Sequence, residues 1–215
     1  MKREIAGLYA VTPDLTDVPE LITTAQAALS GGARLLQYRN KPATSALRLA
    51  QARALLALCR RSRVPLIVND HLDLALTVGA DGVHLGAEDG SLATAREQLG
   101  PARILGASCY DRLELALEAE RLGADYVAFG SFFPSGVKPG AVRASLTLLR
   151  DAKRRLSVPV VAIGGITLEN APQVIAAGAD SVAVISALFG ADDVRAAARR
   201  FSALFTRREL ATRHS

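Results

Sequence analysis

Tryptophan is absent from this sequence, and phenylalanine and tyrosine together make up only 5% of its 215 residues. A large interior must then be built from alanine, leucine and valine, which suits closely packed helices over buried parallel strands. Cysteine is nearly absent too. Cys59 and Cys109 stand alone, with no CxxC pair, no metal-ligand spacing and no disulfide framework, as expected of a chain kept in a reducing cytoplasm. No window approaches the roughly 18 apolar residues of a membrane span. The apolar run after Lys2 and Arg3 is too short for a secretory signal, and Asp14 and Asp17 soon follow it. No membrane partner is therefore expected. No stretch rich in Pro, Gly and Ser divides the chain. One compact domain is expected over residues 1–206, followed by a polar, basic tail over 207–215 that should fray.

What the chain does have is 50% hydrophobic residues, 22% charged residues and a formal net charge of +5. The first two values belong to a globular chain with a sizeable core. The third favours anionic partners. Nucleic acid is not the expected one. "CRRSR" (Cys59–Arg63), "KRR" (Lys153–Arg155) and the pair Arg199–Arg200 fall on predicted outer helices, without interleaved aromatics or zinc-finger spacing. Phosphorylated small molecules fit better. Whether copies of the chain assemble into a homo-oligomer stays open at this level.

A short motif recurs along the chain. "GGARLLQYR" begins at Gly31, "VGADGVHLG" at Val78, "LGADYVAFG" at Leu122 and "AGADSVAVIS" at Ala177. In each, a helical pattern precedes a glycine, which suits a left-handed helix cap, and a β-rich run follows. Between them, "RVPLIVND" and "SVPVVAIGG" enter strands through Val-Pro, where proline needs no ladder donor. With "GLYAVT" and "ARILGAS" these give eight strands, expected near residues 8–12, 34–39, 65–69, 82–85, 103–108, 125–130, 159–163 and 181–185. Segments such as "ALRLAQARALLALCR" carry apolar residues at helical spacing between them. The fold class expected is α/β, a (β/α)8 TIM barrel. A doubly wound open sheet is the alternative, and the missing GxGxxG after the first strand counts against it.

In such a barrel, ligands bind at the C-terminal ends of the strands. The second strand ends in Gln37, Arg39 and Lys41, which alternation puts on one face, with Tyr38 and Asn40 on the other. A fork-shaped guanidinium and a point charge there suit a phosphate or diphosphate, although such a cluster also suits a solvated loop. The third strand ends at Asn69 and Asp70, and the fourth runs into Glu88 and Asp89. As neighbours, these two strand ends would let Asp70 and Asp89 share one Mg²⁺, an ion content with two carboxylates plus water and phosphate. Asp89 would equally serve as a cap for the helix that begins near Leu92. His84, inside a strand, reads as a hydrogen-bonded core residue, and His71 as a cap or a lining residue. Ser108 closes the fifth strand without an evident activating base, so it is not read as a nucleophile. The turn-rich segment Phe129–Ala141 carries Ser135, Gly136, Val137 and Lys138 and reads as a lid whose lysine reaches an anion. Gly164, Gly165, Ile185 and Ser186 stand where barrels often hold a phosphate. No Ser-His-Asp or Cys-His arrangement is apparent, which suggests departure of a diphosphate with metal help rather than attack by a side chain.

"QYRNK", "VNDHLDLALTVGADGVHLGAED", "FFPSGVKPGA", "VVAIGGIT" and "VAVIS" resemble, in order and over residues 8–189, the motifs of the thiamine-phosphate synthase family. The resemblance implies a transferase that joins 4-amino-2-methyl-5-hydroxymethylpyrimidine diphosphate to a thiazole phosphate, carboxylated or not, giving thiamine phosphate and diphosphate. It implies a dissociative route in which diphosphate leaves first and the thiazole nitrogen then attacks. By motif match, Gln37, Tyr38, Arg39, Asn40, Lys41, Asn69, Ser108 and Lys138 would bind the pyrimidine diphosphate, with Arg39, Lys41 and Lys138 assisting catalysis. Ser135, Gly136, Val137, Gly165, Ile185 and Ser186 would bind the thiazole phosphate, and Asp70 and Asp89 one Mg²⁺. Three positions depart from the common pattern: Asn40 where Glu is frequent, Ala87 in "HLGAED", and Val137 in place of a threonine. A related thiazole tautomerase usually lacks the aspartate that Asp89 supplies here. A ligand-sensing regulator without turnover would not need Asp70, Asp89 and Lys138 together.

Overall fold

The structure, a computed structural model, describes residues 5–134 and 143–212, with side chains as far as residue 206. Strands and helices alternate from the start. The order is β1 (Gly7–Val11), α1 (Val18–Ser30), β2 (Leu35–Tyr38), α2 (Ser45–Ser62), β3 (Leu66–Asn69), α3 (Leu72–Val78), β4 (Gly82–Leu85) and α4 (Leu92–Leu99). It continues with β5 (Ile104–Tyr110), α5 (Leu113–Arg121), β6 (Tyr126–Phe129), α6 (Leu146–Arg155), β7 (Val160–Ile163), α7 (Ala171–Ala176), β8 (Ser181–Val184), α8 (Ser186–Phe189) and α9 (Val194–Thr212). All eight strands pair in parallel in chain order, and β8 closes on β1. The expected barrel is therefore the fold, and each expected strand overlaps an observed one. No helix among the described residues is long and apolar enough to cross a membrane.

Strand alternation sorts the apolar residues into two cores. Tyr9, Val11, Leu35, Ile67, Ile104, Tyr126, Ala128, Val161 and Ala183 fill the inside of the barrel. The alternate residues, such as Leu8, Ala10, Leu36, Val68, Val83, Leu105, Val127, Val160 and Val182, pack outward under the helices. Small and large residues trade places inside. Gly106 on β5 faces the ring of Tyr126 on β6, so closely that a Cβ at 106 would overlap the ring. The interior tyrosine therefore depends on that glycine.

The recurring Gly-Ala-Asp has a structural explanation at the N-terminal face. Asp81 accepts a hydrogen bond from Leu66 N (2.9 Å) and its own N–H donates to Leu66 O (3.0 Å). Asp125 makes the same pair with Leu105, at 2.9 and 2.7 Å. Asp180 does so with Val160, at 2.8 and 2.8 Å. Each aspartate thus pins the first turn of its own strand to the entry of the preceding one, where the first ladder N–H would otherwise be orphaned. Arg34 occupies this place in the first copy and shares the backbone half, Arg34 N to Leu8 O at 2.9 Å.

At the other end of the chain, α9 continues to Thr212, past the boundary expected at 206. The polar "TRRELAT" is composed largely of good helix formers.

Candidate active site

The C-terminal mouth opens into a cavity of about 680 Å³. Its wall includes Gln37, Arg39 and Lys41 from the end of β2, Asn69 and Asp70 from β3, His84 from β4, Glu88 and Asp89 from the following loop, Ser108 from β5, and Gly164 and Ile185 from the ends of β7 and β8. Thus most of the residues expected at the mouth are brought together around one space.

Alternation decides what happens to the QYRNK segment. Gln37 points into the barrel, where its Nε2 donates to Tyr9 Oη at 2.9 Å. Arg39 and Lys41 follow on the same side. Thr12, at the end of β1, fixes the backbone of Arg39 by accepting from its N–H and donating to its carbonyl, both at 2.9 Å. Asp14 then holds the guanidinium (3.0 Å) and accepts from Lys41 N (3.1 Å). Tyr38 and Asn40, also expected to bind the diphosphate, take the other face of the segment. Their side chains turn outward to the helix layer and share Gln51 Oε1 on α2, at 2.8 and 2.9 Å, while Asn40 also donates to Leu15 O. They lock the β2 end to α2 and do not reach the cavity wall. Burial pushes the Tyr38 hydroxyl up to about 12, so it stays protonated in this role.

Asp70 and Asp89 face each other at the adjoining ends of β3 and β4. Burial, then the hydrogen bond and charge of Asp89, raise the Asp70 carboxyl above its usual range, while Lys41, 3.6 Å from Asp70 Oδ2, opposes this. Two carboxylates held together need a proton or a cation between them. No cluster of three or more His, Cys, Asp or Glu side chains stands ready for a metal among the described residues. A pair of carboxylates at an open mouth fits Mg²⁺, which keeps most of its water, and does not fit a closed zinc site. Asp89 is not the cap of α4. Ser91 caps it, accepting from Thr94 N, and Asp89 instead accepts from Gly86 N at 2.7 Å. His71 sits at the start of α3 without a side-chain cap bond.

Below these groups runs a hydrogen-bonded chain that the sequence reading did not foresee. It passes from Gln37 to Tyr9 Oη, to Tyr126 Oη (2.8 Å), to His84 Nδ1 (3.0 Å), and from His84 Nε2 to Ser108 Oγ (2.8 Å). Ser108 therefore has a histidine partner, contrary to expectation. It is still a poor nucleophile. Burial lowers the His84 pKa to about 4, so the imidazole is neutral and weakly basic. With Gln37 donating to Tyr9, every member is satisfied if Tyr9 donates to Tyr126, Tyr126 to His84 Nδ1, and His84 Nε2–H to Ser108. The serine proton is then directed to the cavity as a donor. Burial raises both tyrosine hydroxyls well above their ordinary value, which keeps the chain uncharged. Tyr9 and Tyr126 occupy inward parities of β1 and β6, and that parity was the signal that would have found them.

The opposite wall is only partly as expected. Ile185 lines the cavity, whereas Gly165 and Ser186 lie beside it and not in its wall. Gly165 O accepts from Asn170 Nδ2 at 2.9 Å. Ser135, Gly136, Val137 and Lys138 lie outside the described residues.

Residues 8–188 match the model of a family described as thiamine monophosphate synthase. A thiamine-phosphate synthase of Nitrosospira multiformis is 56% identical over 209 residues, covering 97% of this chain and 89% of that protein. One of Methylobacillus flagellatus is 57% identical over 201 residues, covering 94% and 96%. Among solved structures, a thiamine phosphate pyrophosphorylase from Pyrococcus furiosus superposes with a TM-score of 0.85 at 40% identity, covering 94% of this chain and 96% of that one.

Proposed function

This chain belongs to the thiamine monophosphate synthase family, and from that premise we propose that it is the transferase of thiamine biosynthesis that alkylates a thiazole phosphate with an aminopyrimidine diphosphate. The observation that carries the proposal is one cavity walled by Gln37, Arg39, Lys41, Asn69, Asp70, Asp89 and Ser108. The cations and hydrogen-bond donors gathered there suit a diphosphate, and the Ser108–His84 pair is unsuited to attack.

The reaction needs no side-chain nucleophile or base. The bond from the pyrimidine methylene carbon to the diphosphate oxygen breaks, and the electron pair leaves with that oxygen. The thiazole nitrogen then forms a bond to the carbon with its own lone pair, and no proton is lost from it. Arg39 grips the diphosphate, with its fork aimed by Asp14 and its backbone fixed by Thr12. Lys41 and Ser108 donate to the same group. Asn69 stands beside them. The apolar interior walls of Val11, Val161, Ile163 and Ala183 keep water from the cationic carbon. Asp70 and Asp89 would hold Mg²⁺, which when bound would neutralise charge on the departing diphosphate. Cytoplasmic residence fits the two buried free thiols.

The test is a product assay with both half-molecules, with and without Mg²⁺, on the wild type and on Asp89→Asn. Thiamine phosphate should form only with both substrates, and turnover should fall by orders of magnitude on chelation or on the substitution. Formation at an undiminished rate without divalent cation, or no product at all, would overturn the proposal.

A further inference from the structure

Tyr110 is unusual on three counts. It is the one exposed large hydrophobic side chain among the described residues, at 38% exposure. Its backbone is left-handed, with φ 54°, a conformation that costs a non-glycine residue on the order of 1–2 kcal/mol. It also follows a register shift, because β5 pairs Ser108 with Ala128 but Tyr110 with Phe129. Such a bulge re-aims a side chain at the rim of a sheet. Neither burial nor ladder pairing explains why a tyrosine is kept here.

The ring reaches from β5 across to the loop that follows β4. Its hydroxyl accepts a hydrogen bond from Ala87 N at 3.4 Å. The adjacent Gly86 N donates to Asp89 Oδ2 at 2.7 Å. A Cβ at Gly86 would stand 2.8 Å from Asp89 Oδ2 and 3.2 Å from Tyr110 Oη. The two oxygens thus converge on one bare piece of backbone, and only a residue without a side chain admits both. The segment from Gly86 to Gly90 carries the carboxylate that faces Asp70, and Tyr110 ties that segment to the rigid barrel.

We propose that Tyr110 is a positioning residue, whose hydroxyl holds the Gly86–Gly90 loop so that Asp89 stays opposite Asp70 for a divalent cation. This rests on the reading of Asp70 and Asp89 as a cation pair. It also explains why alanine is acceptable at position 87, since only the backbone N–H is used.

The decisive measurement is Mn²⁺ binding to the substrate-free protein, read by electron paramagnetic resonance, for the wild type, Tyr110→Phe and Asp89→Asn. Tyr110→Phe keeps the ring and removes one hydrogen bond, so Mn²⁺ affinity should fall about three- to tenfold. The Mg²⁺ concentration for half-maximal turnover should rise by the same factor, with excess Mg²⁺ restoring turnover. Gly86→Ala should weaken Mn²⁺ at least as much. If Asp89→Asn loses Mn²⁺ while Tyr110→Phe binds it as the wild type does, the tether is wrong and the cation pair stands. If Asp89→Asn also binds Mn²⁺ unchanged, the cation pair fails and takes this inference with it.

Discussion

His84 sits in an environment that opposes its solution chemistry. Its ring stacks on Tyr126 with centroids 5.5 Å apart and has a partner at each nitrogen. In the unfolded chain it would take a proton near pH 6.5, and in the fold only near pH 4. Above about 6.5 both states are neutral and pH has no effect through this group. Between 6.5 and 4 the unfolded chain binds the proton and the folded chain does not, so stability falls by about 3 kcal/mol across that window. A cation on Asp89, whose charge is what favours the imidazolium, would only widen it. Urea midpoints measured from pH 7 to pH 4 should show this decline in the wild type and a flatter one in His84→Gln. Parallel declines would mean that other groups control the acid limb. Arg39 gives the complementary prediction for binding. It meets the expected diphosphate and nothing expected of the acceptor, so Arg39→Ala should raise the KM for the pyrimidine diphosphate about ten- to hundredfold, the worth of a charge-assisted contact. Steady-state kinetics with each substrate varied would show it, and an effect confined to the thiazole phosphate would reverse the placement of the two substrates.

At the scale of elements, the repeating aspartate clamp separates stability from function. Asp125 pins Leu105 and is also met by Arg96, which ties α4 to the carbonyls of Gly100, Arg103 and Gly123. All of this lies at the N-terminal face, away from the cavity. Asp125→Ala should cost about 1–3 kcal/mol, roughly 2–10 °C in thermal midpoint for a chain of this size, with kcat/KM at 25 °C unaltered. A large loss of activity at full folding would refute that division. The same clamp shows how much of the fold could be read in advance. The Gly-Ala-Asp recurrence and the Val-Pro entries mark the beginnings of six strands through local backbone chemistry, and the apolar runs "GLYAVT" and "ARILGAS" supply the other two. Strand ends were legible where parity alone decides, as for Gln37, Arg39 and Lys41 against Tyr38 and Asn40. What stayed hidden depended on contacts across the barrel. Nothing local to Tyr9, Tyr126, His84 and Ser108 says that four strands bring them into one chain. Nothing in "SCYDR" says that a bulge turns Tyr110 over the mouth. The Asp89 cap failed because Ser91, two residues on, was the better placed N-cap.

For the molecule as a whole, the decisive balance is the charge at the mouth. The chain is basic, with a net charge of +5, yet the described mouth is not. Arg39 is matched by Asp14 and Lys41 by Asp70, and Asp89 adds a further carboxylate. A diphosphate entering this site alone would meet carboxylates as well as cations. A divalent ion between Asp70 and Asp89 would reverse the sign of that region, and anion binding should then depend on it. Two coupled outcomes follow. Mg²⁺ should raise the thermal midpoint of the substrate-free protein, and by linkage a concentration of 100 times its dissociation constant adds about 2.7 kcal/mol, roughly 5–10 °C here. Inorganic diphosphate should stabilise the protein further in the presence of Mg²⁺ and little without it. In Asp89→Asn both increments should shrink together, since on the proposed reading the carboxylate pair holds the ion and the ion the anion. Differential scanning fluorimetry over a matrix of the two ligands would read this directly. Equal stabilisation by diphosphate with and without Mg²⁺ would show that Arg39 and Lys41 suffice, and that the acidic pair serves something other than the anion.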